Sequence, residues 1–368
     1  MKAQKHIVEV DVFGSAHGST GWSTYSVGFA QALSTFTPVS FRAGRRAAIG
    51  GLLGSLGGPL FRGVYKAPGD FGVVVLGTPF QGQPSARWNV WETTKLPVRQ
   101  LELCASTQYL WTPSTWGRSN LIANGFHESR VAVVPGGVDV EFFRPSIRRP
   151  GPRFRFLMVG KWENRKFCEG LLRAFTEEFK PQEAVELYLH AHNPYLPGFS
   201  LRSKVEEAGF SDVGQVLLGG HGSRVALREL YRSADCFVLP TRAEGWGLPI
   251  LESMACGVPA IATRYSAQLD YLNDENGYLL NVASLVEAYD EDFNIRTGLW
   301  AEPDLSHLRH LMRTAFENQQ HLREKGRLAR ETAEKFTWKH AAEIALKSIR
   351  GHLQFGGGSH GDGAQPLT

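Results

Sequence analysis

The chain has 368 residues, 42% of them hydrophobic, with 40 Lys+Arg, 36 Asp+Glu and a formal net charge of +4. That is length for two domains of about 150 residues, each able to bury a core, and it excludes a disulfide-stapled miniprotein. Cys104, Cys168, Cys236 and Cys256 lie far apart without CxxC or CxxH spacing, so a reducing cytosol fits and neither a zinc ribbon nor a secreted disulfide framework is indicated.

Apolar runs of strand length alternate with amphipathic stretches of helix length, the pattern of parallel sheets covered by helices on both faces. Residues 1–13 alternate like a strand and lack the apolar core of a signal peptide, and 6–13 read as the first strand. A small-residue loop at 14–21 and a helix at 22–33 follow. Residues 42–67, with GGLLGSLGGPLF among Leu and Arg, read as a mobile loop, because each Gly costs a helix about 1 kcal/mol relative to Ala. Strands are expected at 72–77 (GVVVLG), 109–111 and 131–134, and the Pro- and Arg-rich stretch 144–153 is the expected linker.

The second half opens with a strand at 155–160 and a helix in which Phe167, Leu171, Phe175 and Phe179 recur every fourth residue. Strands at 185–191 and 215–218 alternate with a helix at 201–208 and another that Ser223 caps. A strand at 235–240, a helix at 248–256 closed by Gly257 and a strand at 258–262 come next. Residues 304–349 are helical, with Leu305, Leu308, Met312 and Phe316 as core positions. The tail 355–368 is expected to be disordered. No run reaches the about 18 apolar residues of a spanning helix.

The segment 235–263, DCFVLPTRAEGWGLPILESMACGVPAIAT, carries the most chemistry. A buried strand ends at Pro240, a polar loop holds Arg242 and Glu244, and a helix starts near Pro249, where proline suits the first turn. Ligands of open α/β sheets bind at the carboxyl ends of the strands, and the N–H groups of a helix start attract phosphate. Glu244 and Glu252 flank seven residues. A carboxylate accepts two hydrogen bonds from a vicinal diol, so Glu252 suits a ribose and Glu244 a second hydroxylated group. Two solvated surface acids are the alternative reading of the spacing alone.

The whole phrase resembles the retaining GT-B glycosyltransferases, in particular glycosyltransferase family 4. The resemblance extends to LYRSADCFVLPT, to VGKWENRK at 159–166, to WTPSTWGRSNLIANG and to VPGGVD at 134–139. It implies a GT-B α/β fold: two doubly wound Rossmann-like domains, an interdomain cleft and a C-terminal crossover helix. The implied domains are 1–147, joined by a helix at about 338–350, and 153–337. It further implies Glu252 on the donor ribose, Glu244 at the donor sugar, and Lys161 and Lys166 on the diphosphate. Arg165 stands beside them, either as a third cation or solvated. The backbone of Gly245, Trp246, Gly247 and Leu248 would flank sugar and diphosphate.

In the loop GSAHGSTGW, Gly18 and Gly21 would let backbone approach the donor phosphate, since a missing side chain permits close contact. His17 and Glu92 are candidates on the acceptor side, with a solvated His17 and a surface Glu92 beside a buried Trp91 as the alternatives. Departures from the family pattern are Lys161 for a common Arg, Phe167 for a common Gly, and Thr78-Pro79 where many members carry a histidine. Lys161 keeps the charge and loses the bidentate fork.

No cofactor or metal is expected. His190 and His192 lack an acidic third, and Asp290-Glu291-Asp292 sits in a loop-like acidic run. The implied reaction moves a sugar from a nucleotide diphosphate sugar to a glycan, lipid-linked or other hydroxyl acceptor with retention, in the cytoplasm. A sugar-nucleotide epimerase and a non-catalytic binding protein are the alternatives. Residues 1–150 hold 15 basic and 8 acidic residues, the remainder 25 and 28. The basic half favours an anionic acceptor or peripheral contact with an anionic membrane, and the total is too small to indicate nucleic acid.

Overall fold

The computed structural model describes residues 10–14, 21–43, 71–75, 85–146, 151–210, 214–220, 222–291 and 294–355. His17, Gly18, Thr78, Pro79, Asp292, residues 44–67 and the tail from 356 lie outside them. The first half runs β1 (Val10–Gly14), α1 (Gly21–Leu33), β2 (Val39–Ala43), β3 (Phe71–Val75), β4 (Ala86–Trp88), α2 (Val98–Ala105), β5 (Tyr109–Thr112), α3 (Thr115–Ala123) and β6 (Val131–Val133). The second runs β7 (Phe154–Lys161), α4 (Cys168–Glu178), β8 (Val185–His192), α5 (Leu201–Glu207), β9 (Val216–Gly219), α6 (Arg224–Ser233), β10 (Cys236–Leu239), α7 (Leu248–Ala255), β11 (Ala260–Thr263) and β12 (Tyr278–Leu280). A ribbon of β13 (Val282–Asp290) and β14 (Ile295–Pro303) and the helices α8 (Leu305–Glu317), α9 (Gln319–Ala333) and α10 (Trp338–Phe355) complete it.

The apolar runs form two parallel six-stranded sheets, ordered β2-β1-β3-β4-β5-β6 and β12-β11-β10-β7-β8-β9. Strands buried on both faces read as continuous apolar stretches, which is why CFVL and AIAT stand out. Each sheet changes direction once, between β1 and β3 in the first and between β7 and β10 in the second. In the second, Phe156 of β7 lies opposite both Cys236 of β10 and Leu187 of β8. All four cysteines are buried thiols. Among the described residues no helix is long and apolar enough to cross a membrane.

Ser223 caps α6 through its side chain, which accepts from the Ala226 N–H, and Gly257 follows α7 at φ +76, both as the sequence indicates. Two expectations change and a third is refined. The every-fourth-residue phenylalanines overrun their helix: Phe167 stands before α4 in the left-handed region (φ +56) and Phe179 leaves it extended. Phe179 keeps the apolar spacing because it packs on Phe175 and Phe156, at 5.3 and 5.7 Å between ring centres. The acidic run at 290 is no loop at its start, since Asp290 is the last residue of β13 and pairs with Ile295. The helical 304–349 region is three helices, of which α10 returns to pack on α1, with Gly28 admitting the Trp338 ring: a Cβ there would lie 2.7 Å from it.

Candidate active site

The turn between β7 and β10 in strand order brings two loops together at their carboxyl ends, the place where open α/β sheets hold ligands. One loop leaves Lys161, makes a 3-10 turn at Asn164–Lys166 and enters α4 through Phe167. The other leaves Leu239, passes Arg242 and Glu244, and enters α7 through Gly247 at φ +87, with Pro249 in the first turn. The loops are sewn to each other: the Arg242 N–H donates to the Arg165 carbonyl at 2.7 Å, and the Arg165 guanidinium donates to the Ala243 carbonyl at 2.6 Å. Arg242 itself points away from the cations, to Glu302 at 2.7 Å and to the Asn164 carbonyl at 2.6 Å, over the Phe167 ring.

The sequence candidates Glu244, Lys166, Arg165, Lys161 and Glu92 form one charged network. Lys166 Nζ lies 2.6 Å from Glu244 Oε1, and both are buried. Arg165 is not solvated: its guanidinium lies 3.3 Å from Glu244, 2.7 Å from Glu163 and 3.6 Å from Glu92. Lys161 lies 2.5 Å from Glu163 and 4.8 Å above the centre of the Tyr195 ring. Glu92, in the segment that follows β4 of the first sheet, thus reaches toward these loops, while Trp91 is half-buried. Burial alone would raise the Glu244 carboxyl, and the adjacent Lys166 and Arg165 cations hold it below its ordinary value instead. Glu92 is raised by burial, partly offset by Arg165.

Glu252 sits in the second turn of α7, 9% exposed, and its Oε2 accepts from the Tyr231 hydroxyl at 2.8 Å. Burial pushes its carboxyl up to about 7, with the Tyr231 hydrogen bond pulling against that. Gly245 faces the first half of the chain, where a Cβ would fall 2.3 Å from Val90 Cγ1. Leu248 is buried at the helix start. The Trp246 indole is 2% exposed and packs on Tyr271 and Phe336 at 5.1 and 5.8 Å, so its backbone, the part named from the sequence, is what is left to meet a ligand. Even that backbone is engaged, since the Tyr271 hydroxyl donates to the Trp246 carbonyl at 2.7 Å. Gly21 opens α1. His190 and His192 lie at the end of β8, and among the described residues no group of three or more His, Cys, Asp or Glu is arranged to hold a metal ion.

Sequence reasoning passed over Glu163, Tyr231, Ser266 and Trp300. Glu163 had a signal, the alternating charges of KWENRK. Ser266 accepts from the Glu244 N–H at 2.8 Å, and the Trp300 indole donates to the Glu92 carbonyl at 2.8 Å; both join loops remote in sequence, with no local pattern to read.

Residues 153–292 match the family described as glycosyl transferases group 1. A D-inositol 3-phosphate glycosyltransferase of Paenarthrobacter aurescens (strain TC1) is 30% identical over 235 residues, covering 60% of this chain and 52% of that protein. The chain spans about half the length of the curated relatives it matches. In structure it resembles sucrose-phosphate synthase from Thermosynechococcus elongatus, with a TM-score of 0.69 at 15% identity over 94% of this chain and 99% of that one. It also resembles Anabaena HepE in complex with UDP-glucose, with a TM-score of 0.66 at 13% identity over 94% of this chain and 100% of that one. Residues 153–292 thus match the glycosyl transferases group 1 family, and the chain, with its two parallel sheets and returning helix, carries the GT-B fold of these structural neighbours.

Proposed function

We propose that the chain transfers a sugar, with retention, from a nucleotide diphosphate sugar to a hydroxyl acceptor. The observation that carries this reading is the convergence of Lys161, Arg165 and Lys166 with Glu244 at the topological switch of the second sheet, in the loops whose second member leads into the helix that bears Glu252. As the anomeric C–O bond breaks, positive charge grows on the sugar ring and negative charge on the departing diphosphate. The three cations stabilise the latter, and preorganised charge of this kind is often the largest catalytic contribution. Glu244 takes the donor sugar's hydroxyls, and Glu252 the ribose diol. The acceptor oxygen bonds to the anomeric carbon on the face the diphosphate leaves, and its proton passes to a diphosphate oxygen. No divalent ion is required, because the countercharge comes from side chains.

The donor in the HepE complex is UDP-glucose, and the matched relative is named for an inositol phosphate acceptor; together with the basic residues of 1–150, these support an anionic hydroxyl acceptor. The test starts with thermal shifts in UDP, GDP and ADP, since a ligand bound only by the native state raises the melting temperature. The diphosphate that binds identifies the donor base for a transfer assay in excess chelator. Lys166→Ala and Glu252→Ala are expected to abolish transfer and weaken nucleotide binding. Unchanged turnover in both variants would overturn the assignment.

A further inference from the structure

The stretch KWENRK places an acid between the cations that the donor site needs. Glu163 is extended (φ −154, ψ 156) at the entry of the 3-10 turn, and its side chain is 10% exposed. One carboxylate oxygen, Oε2, lies 2.5 Å from Lys161 Nζ; the other, Oε1, lies 2.7 Å from Arg165 Nη2. A carboxylate that engages a lysine and an arginine through separate oxygens presents the same chemistry as a phosphoryl group: two anionic acceptors, each in a charge-assisted hydrogen bond. The Lys161 and Arg165 side chains are 24% and 14% exposed, so water reaches both and an incoming anion can exchange with the carboxylate. The Lys166–Glu244 pair is more deeply buried, at 8% and 6%, and makes the less exchangeable part of the network.

We propose that Glu163 is a built-in counter-anion, which holds Lys161 and Arg165 in the place of the donor diphosphate and is displaced when the diphosphate arrives. This rests on the donor site proposed above. In the resting protein the two cations share one countercharge and are held in position. After transfer, the returning carboxylate helps expel the product diphosphate. Glu163 is therefore a positioning residue that weakens product binding, the opposite of what an ordinary scaffold residue would do.

The two roles separate by sign. Glu163→Gln keeps the shape and an acceptor oxygen while removing the charge, and Glu163→Ala removes both. Calorimetric titration of the full chain with inorganic diphosphate, and with whichever nucleoside diphosphate binds it best, is expected to give roughly tenfold tighter binding in both variants, from the loss of one like charge beside the ligand. Stopped-flow measurement is expected to give a matching fall in the dissociation rate of that nucleoside diphosphate. The parent nucleoside, which lacks phosphate, is expected to bind as it does to the wild type. Diphosphate binding that is unchanged or weaker in the variants overturns the counter-anion, as does equal tightening of the nucleoside. A wild type that binds none of these diphosphates overturns the donor site itself.

Discussion

Glu252 occupies a site that favours its neutral form, yet the ribose contact proposed for it calls for the carboxylate as acceptor. Its folded pKa of about 7 is above the ordinary carboxylate value, so the folded state holds the proton longer than the unfolded chain does. The stability this contributes is complete below the unfolded pKa and is lost as pH rises to about 7. Glu252→Gln, which cannot ionise, is expected to match wild-type stability near pH 4.5 and exceed it at pH 8, by up to about 3 kcal/mol for a shift of this size. Urea unfolding at both pH values checks this, and equal stability of the two proteins at pH 8 contradicts it. Nucleotide affinity is expected to run the other way, rising through pH 7 in the wild type more steeply than in the variant. At this scale the sequence was informative about residue type and poor about partners. The E-x7-E spacing and the basic residues of KWENRK stand in plain view. That Tyr231 would steady Glu252 depends on α6 lying beside α7, which no local pattern announces. Phe167 is the instructive departure: the family's common Gly suits a left-handed backbone, and here Phe adopts φ +56 anyway, its ring lying where a Cβ on Gly170 would be 2.0 Å away.

The least legible element is the β13–β14 ribbon. Its strands are solvent-exposed along much of their length, so they lack the apolar runs that betray the buried parallel strands. The ribbon spans the cleft: the Leu299 N–H donates to Thr94 Oγ1 at 2.9 Å, and Trp300 donates to the Glu92 carbonyl. On its inner side Trp300 packs with Ala243 and Ala288 and is 3% exposed. Gly298 makes the crossing, at φ +72, where a Cβ would clash at 2.5 Å from the Lys95 backbone nitrogen. Gly298→Ala is expected to cost about 1–3 kcal/mol from backbone strain. Hydrogen exchange at residues 92–96 should accelerate in that variant and in Trp300→Phe; unchanged exchange in both would show that the ribbon does not hold this segment. The edge strand β2 and the short interior strand β4 also escaped notice; β4 is only Ala86–Trp88 and carries Arg87 between its apolar residues.

For the whole molecule, the two sheets are joined by contacts that sequence order conceals. Asp270, beyond β11, accepts the Thr115 N–H at 2.7 Å at the start of α3, and Trp116 meets Tyr265 edge-on at 5.8 Å. On the opposite side Trp338 is 8% exposed, wedged against Gly28 and edge-on to Tyr25 at 5.2 Å. Trp338→Ala removes that wedge and is expected to cost about 3–5 kcal/mol. Calorimetry is expected to show a lower melting temperature, with the single transition separating into two as the halves uncouple; an unaltered thermogram would contradict this. The general architecture was legible because alternating strand and helix patterns specify doubly wound sheets almost by themselves. The clamps were not, because each depends on which loops end up opposite one another. The chain passes between the halves twice, and the passages run side by side: Val138 pairs with Thr337 in a parallel bridge, and its N–H donates to the Phe336 carbonyl at 2.9 Å. Two adjacent crossings act like a single pin on a door. Rotation of one half about that pin displaces nearby atoms little, so a small change in angle there is amplified with distance into a wide gap at the lip of the opening.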